Sequence, residues 1–279
     1  MTIYKTKSLI ETYRAKASAK DINELTGRTG RPDLTEFIIS QLSKKIPVQT
    51  NSIVVDVGCG AGLFLIKTAE NGLDSYKGRL IGILPTVEEV SRVRNHLLQG
   101  QYNKFLISIE LGLAEKTNLP DDYCDILVCN GVLHGGGQSI ENVKPALAEI
   151  YRITKPGGTI VIGEMPDSDE MTGKNFGDSI TKWLYWVLKN QGFKSFWTRL
   201  KQTIPAFFSN EPFIVGPKNS FYMPPQNFIA LLEQYGIHVV EHYRLKEIDG
   251  DGTEYESKTR WNYIGIKRSV GSATAHPHQ

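Results

Sequence analysis

Apolar positions along the chain fall into short β-branched runs separated by stretches of helical spacing. Ile53-Val54-Val55-Asp56-Val57 runs into Gly58-Cys59-Gly60-Ala61-Gly62, and Leu63-Phe64-Leu65-Ile66 follows. This order predicts a buried strand over 53–57, a glycine turn, and a helix over 62–70. Further apolar runs at 79–84, 104–109, 125–129 and 159–164 predict four more strands. A helix is expected from Thr86, an N-cap after Pro85, to Leu98, and another over 141–153. Such alternation argues for an α/β fold with a parallel, doubly wound sheet and helices on both faces. Ligands of such sheets bind outside the carboxyl ends of the strands. Asp56, Leu84, Leu113, Asn130 and Glu164 are therefore expected around one crevice.

The flanks read differently. Residues 4–19 have helical spacing, and after a Gly- and Arg-rich break Asp33 is expected to cap a second helix ending before Pro47. The expected organisation is a helical cap over 1–47, a core made of 48–165 and 221–268, and an insertion over 166–220. After the insertion, Phe221 to Pro225 should open a helix to Gly236. Strands are expected over 237–244 and 260–267, joined by a long loop around Asp249-Gly250-Asp251-Gly252. The small, polar tail 269–279 is expected to be disordered.

Composition narrows the function classes. The 279 residues allow one sizeable core with a cap. A net charge of +2 gives no global attraction to nucleic acid, which is disfavoured as a partner. Cys59, Cys124 and Cys129 have no metal-pair spacing, so no metal site is expected, and they fit reduced thiols. No apolar run approaches the ~20 residues that span a bilayer. A soluble, cytoplasmic protein is the expectation.

The glycine turn lets a ligand approach the main chain closely, facing the free N–H groups of the following helix. Asp56 can order that turn or accept from a ligand amino group. His134, in Leu133-His134-Gly135-Gly136-Gly137, and Glu164 are candidates for proton handling at the rim. Each can instead serve only as a structural hydrogen-bond partner. The insertion holds three of the four tryptophans, Trp183, Trp186 and Trp197, and seven Lys or Arg against Asp178 and Glu211 between 174 and 218. It reads as an aromatic lid over an acceptor pocket, as self-packing, or as a basic face touching a membrane surface.

From Ile53 to Glu164 the motifs, in order, resemble the class I S-adenosylmethionine (SAM) dependent methyltransferases. The glycine turn resembles their first motif, and Arg79–Leu84 their second strand. Gly112-Leu113-Ala114-Glu115 resembles the loop after the third strand. Tyr123–Asn130 with Gly131-Val132-Leu133-His134 resembles the fourth strand and its exit, and Lys155-Pro156-Gly157-Gly158 the turn into the fifth. The resemblance implies a mostly parallel seven-stranded sheet with an antiparallel C-terminal strand. It implies SAM as cofactor, held by Asp56, Gly58, Cys59, Gly60, Leu84, Leu113, Ala114 and Asn130, with His134 and Glu164 near the acceptor. The chain departs from it twice. Leucines 84 and 113 stand where the family has acids for the ribose and the adenine amino group. Glu88 or Glu89, and Glu115 or main chain, are the neighbours able to compensate. The implied reaction is methyl transfer to a small, partly apolar acceptor at O, N or C. The alternatives are a methyltransferase-like protein using another ligand or a non-methyl reaction such as a cyclisation, or a non-catalytic partner subunit. A homodimer is compatible with the N-terminal helices.

Overall fold

The computed structural model describes residues 31–46, 48–71, 76–100, 102, 106–136, 139–171 and 221–268, with scattered positions in 10–26 and 181–201. Seven strands form one sheet: β1 (Ile53–Val57), β2 (Arg79–Leu84), β3 (Ile107–Leu111), β4 (Cys124–Asn130), β5 (Thr154–Pro166), β6 (Ile237–Ile248) and β7 (Glu254–Lys267). Their order is β3-β2-β1-β4-β5-β7-β6. The first five pair in parallel, and β7 runs antiparallel to both β5 and β6.

The run of apolar residues in each central strand follows from burial on both faces. Successive side chains alternate. Val55, Val57, Ile81, Ile83, Leu127 and Ile162 join one core, with α4 (Lys144–Ile153) and α5 (Pro225–Gln234). Val54, Leu80, Leu84, Val128 and Val161 join the other, with α1 (Pro32–Lys45), α2 (Leu63–Asn71) and α3 (Val87–Gln99).

Several boundaries depart from the sequence expectation. Pro32 occupies the first turn of α1, and Arg31 is its N-cap residue; the Asp33 side chain pairs with Arg31 instead of capping. Proline at this position presets the helical φ and loses no hydrogen bond. Thr86 does cap α3, accepting from the Glu89 N–H at 3.2 Å. β3 lies later than 104–109 because its register runs from Leu80 opposite Ile107 to Leu84 opposite Leu111. β5 begins at Thr154, which pairs with Cys124 before a bulge, so the Lys155–Gly158 turn lies inside the strand. The 141–153 segment splits into a 3-10 turn at Ile140–Asn142, capped by Ser139, and α4. Phe221 to Pro224 precede α5 without belonging to it.

No long loop joins β6 to β7. Both strands continue until Asp249 closes a tight turn, its Oδ1 accepting from Asp251 N–H (3.1 Å) and Thr253 N–H (3.0 Å). Arg31 donates to the carbonyls of Ile248 and Asp249, each at 3.0 Å, and so ties the entry of α1 to this hairpin.

Most of the insertion, the tail 269–279 and residues 1–9 lie outside the described residues. Within the insertion, Phe193 stacks on Trp197 with ring centroids 6.2 Å apart, and Leu184 is buried. The segment is entered through a single helical turn, Ser168–Met171, beside which Arg244 lies over the Trp261 ring at 4.7 Å. Phe221 leaves it, donating its N–H to the His134 carbonyl at 2.8 Å.

Candidate functional site

The carboxyl ends of the parallel strands open onto a cavity of about 750 Å³. Asp56, Gly58, Cys59 and Gly60 line it from the end of β1 and the following turn. Leu84 lines it from β2, Leu113 and Ala114 from the loop after β3, and Asn130, His134 and Glu164 from the β4 and β5 side. Tyr13, Leu25 and Thr26 face the same cavity from the N-terminal segment. Asp56, Gly58, Cys59, Gly60, Leu84, Leu113, Ala114, Asn130, His134 and Glu164 thus line one cavity.

Gly58, Gly60 and Gly62 have φ of +74°, +53° and +78°, a region where an L side chain is strained. The Gly58 N–H donates to the Ile83 carbonyl at 2.9 Å, which ties the turn to β2. Gly82 makes room for Cys59: a Cβ there would stand 2.5 Å from the Cys59 Sγ. Burial, followed by the charges of Asp56 and Glu89, holds that thiol far above its ordinary range.

Asp56 is 4% exposed, and its carboxylate makes no hydrogen bond among the described residues. Burial pushes its pKa up to about 7. Between about pH 4 and 7 the folded chain keeps a proton that the unfolded chain has released. Stability of the ligand-free protein should therefore fall as pH rises through this window. Asp56→Asn should flatten that slope in a series of thermal midpoints measured from pH 5 to 8. A ligand ammonium beside Asp56 would favour the ionised form, so affinity for it should rise over the same range in the wild type only.

The wall after β3 is braced from α4. Gly112 N–H donates to the Leu84 carbonyl at 3.0 Å, and Leu113 and Lys116 exchange main-chain bonds. Glu149 Oε1 accepts from Thr117 N–H (2.7 Å) and Thr117 Oγ1 (2.6 Å), and Arg152 donates to both Glu149 oxygens and to the Leu119 carbonyl. Burial opposes the charge on Glu149, but Arg152 and Thr117 outweigh it and hold the pKa to about 2. This contribution is present above about pH 4.5 and is lost as pH falls toward 2. Glu149→Ala, which strands two buried donors, should cost about 2–4 kcal/mol in urea unfolding at pH 7. The cost should shrink when the same comparison is made near pH 3.

On the β5 side, Glu164 has φ of +60° although it is not glycine. Such a backbone costs about 1–3 kcal/mol and persists only where its surroundings fix it. Glu164 N–H donates to Asn262 Oδ1 at 2.9 Å, and Arg260 Nη1 lies 3.3 Å from the Glu164 carbonyl. The carboxylate accepts from Asn130 Nδ2 at 2.7 Å and has Arg260 at 3.7 Å. It is a fixed, buried acceptor at the cavity wall.

Of the remaining candidates, Glu88 pairs with Arg14 at 2.9 Å on the surface. Glu115 lines the cavity but is exposed, whereas Glu89 lines it and is 1% exposed. Of the two arginines in the Gly- and Arg-rich break, Arg31 is engaged by Asp33 and the hairpin, and Arg28 lies outside the described residues. Asn262, Arg260 and Glu149 were not singled out by sequence. The polar alternation of Arg260 and Asn262 just before the apolar run 263–266 was the one hint of the first two. Among the described residues no group of three or more His, Cys, Asp or Glu side chains is placed to hold a metal ion. No helix among them is long and apolar enough to cross a membrane.

Residues 55–162 match the family model of a methyltransferase domain. Over 110 residues the chain is 32% identical to a demethylmenaquinone methyltransferase of Symbiobacterium thermophilum, covering 39% of this chain and 40% of that one. Over 115 residues it is 30% identical to a malonyl-[acyl-carrier protein] O-methyltransferase of Serratia marcescens, covering 40% and 38%. It is also 35% identical over 118 residues to an uncharacterised 37.1 kDa protein of a Streptomyces fradiae transposon, covering 42% and 31%. The matches thus span about a third to two fifths of the relatives' own lengths. Among solved structures, a Haloferax volcanii methyltransferase determined with its activator superposes with a TM-score of 0.58 at 16% identity, covering 92% of this chain and 98% of that one. The N-methyltransferase NodS of Bradyrhizobium japonicum, solved with S-adenosylhomocysteine, superposes at 0.55 and 14% identity, covering 93% and 98%. These two likenesses concern the fold.

Proposed function

We propose, from a chain that carries a class I SAM-dependent methyltransferase domain, that the cavity binds SAM and a small, partly apolar acceptor and serves methyl transfer to O, N or C. The observation that carries this reading is the left-handed glycine turn at the end of β1, with Asp56 buried beside it and facing the cavity. The turn admits a ligand against the main chain, and Asp56 offers an anionic partner for its amino group. Asn130, Leu113 and Ala114 complete the walls of the cofactor half. SAM, when bound, supplies a methyl group on a sulfonium centre.

The chain's own residues hold the acceptor and take its proton. Glu164 is the orienting carboxylate, since Asn130, Asn262 and its own backbone geometry fix it in one place. His134 is the proton acceptor at the cavity rim. Alignment of two bound molecules can supply roughly 7–11 kcal/mol of a barrier, so rigid walls matter more here than a strong base. In this reading residues 1–47 cap the cofactor, and 166–220 form the lid over the acceptor.

The two leucines favour one second reading, a cavity adapted to another ligand. Calorimetric titration with SAM and S-adenosylhomocysteine separates the two, after mass spectrometry has excluded a co-purified ligand. Micromolar binding of both is the expected result. Folded, ligand-free protein that binds neither would overturn the SAM reading.

A further inference from the structure

We infer that Glu89 is the residue that binds the vicinal hydroxyls of the cofactor's nucleoside, from the first turn of α3 and not from the end of a strand. The inference rests on SAM being the cofactor and adds the residue that recognises its sugar. A nucleoside brings two adjacent O–H donors into the cavity. Donors left unpaired in a closed cavity weaken binding, because they lose their water partners. The wall between the glycine turn and β2 must therefore provide an acceptor. Leu84 and Pro85 are apolar and Cys59 is a poor acceptor. Glu89 is the carboxylate fixed on that wall.

Three observations set Glu89 apart from an ordinary capping residue. It is 1% exposed and yet lines the cavity. Its Oε2 accepts from Thr86 Oγ1 at 2.8 Å while its own N–H donates to the same hydroxyl at 3.2 Å, so its rotamer is held before any ligand arrives. A carboxylate has about four acceptor positions, so one that already serves Thr86 can accept from further donors as well. Its electrostatic neighbours lie on the cavity side. Its charge acts on Cys59 in the glycine turn and on the phenol of Tyr13, which burial and then Glu89 push upward. Tyr13 thus closes the same wall from the N-terminal segment. Asp56 is the less suitable partner for a diol. It lies beside the glycine turn, where burial favours its neutral form until a cationic partner such as an ammonium arrives.

The test is calorimetric titration of the full chain with S-adenosylhomocysteine and with its 2′-deoxy analogue. Wild type is expected to prefer the hydroxylated ligand by tenfold or more. Glu89→Gln keeps the shape of the cap; it should weaken S-adenosylhomocysteine binding at least tenfold and erase the preference. Thr86→Val removes the capping hydroxyl but keeps the carboxylate, and should retain the preference. A folded Glu89→Gln protein that still discriminates as wild type does would overturn the inference and leave the SAM reading intact. If Glu89→Gln does not fold, the wild type decides: equal affinity for the two ligands also overturns it. Failure of wild type to bind either ligand would instead remove the SAM reading on which the inference stands.

Discussion

Gly58→Ala should abolish detectable S-adenosylhomocysteine binding and lower stability by about 2–4 kcal/mol. Two costs add. The residue has φ of +74°, where a β-carbon costs roughly 1–2 kcal/mol. That β-carbon would also stand 2.4 Å from Val132 Cγ2, an overlap worth about 1–3 kcal/mol before relaxation. A double-mutant cycle separates them. Adding Val132→Ala should recover the overlap part in urea unfolding but leave the backbone part. Binding should stay lost if, as proposed, the turn itself admits the ligand. Full recovery of both would mean that the glycine is needed only for packing.

Gly163→Ala is the second large effect. Gly163 lies in the middle of β5, opposite Asn130, and a β-carbon there would be 1.9 Å from Asn130 Oδ1 and 3.1 Å from Asn262 Oδ1. Asn130 must swing away, and its bond to the buried Glu164 carboxylate is broken. Overpacking and the lost charged hydrogen bond together should cost about 2–5 kcal/mol, a drop of roughly 5–15 °C in thermal midpoint for a chain of this size. In an Asn130→Ala background the same substitution should cost far less. Equal costs in the two backgrounds would show that the Asn130–Glu164 pair does not depend on this glycine.

What could be read in advance follows a physical division. The ends of β1 and β2 and the Thr86 cap were legible because each is written in consecutive residues: an apolar run, a glycine or proline stop, a hydroxyl before a helix. Strand ends then placed Asp56, Leu84, Asn130 and Glu164 on one cavity through topology alone. The partners that fix those residues were not legible. Asn262 reaches Glu164 across 98 positions of chain, and Thr117 reaches Glu149 across 32. Such pairings depend on strand register and helix docking, which no local pattern encodes. The length of β6 and β7 was misjudged for a related reason. Leu245 to Ile248 and Glu254 to Thr259 mix polar and apolar residues and fit a strand as well as a loop; only the Asp249 turn decides between them. The left-handed backbone of Glu164 could not be foreseen, since the neighbouring Gly163 is the residue that would ordinarily be assigned it.

The placement of β7 between β5 and β6 also sets an order of assembly. The first five strands are complete on the growing chain roughly a hundred residues before β7 is, a delay of about 5–20 s at ordinary rates of translation. During that interval β5 offers an unpaired rim to any passing strand. Glu164 meanwhile lacks both Asn262 and Arg260. The cavity wall around Glu164 is therefore the last part of the molecule to become rigid. Chains released before β7 is made would keep much of the β1–β2 side of the cavity and would aggregate through the rim that β7 normally seals.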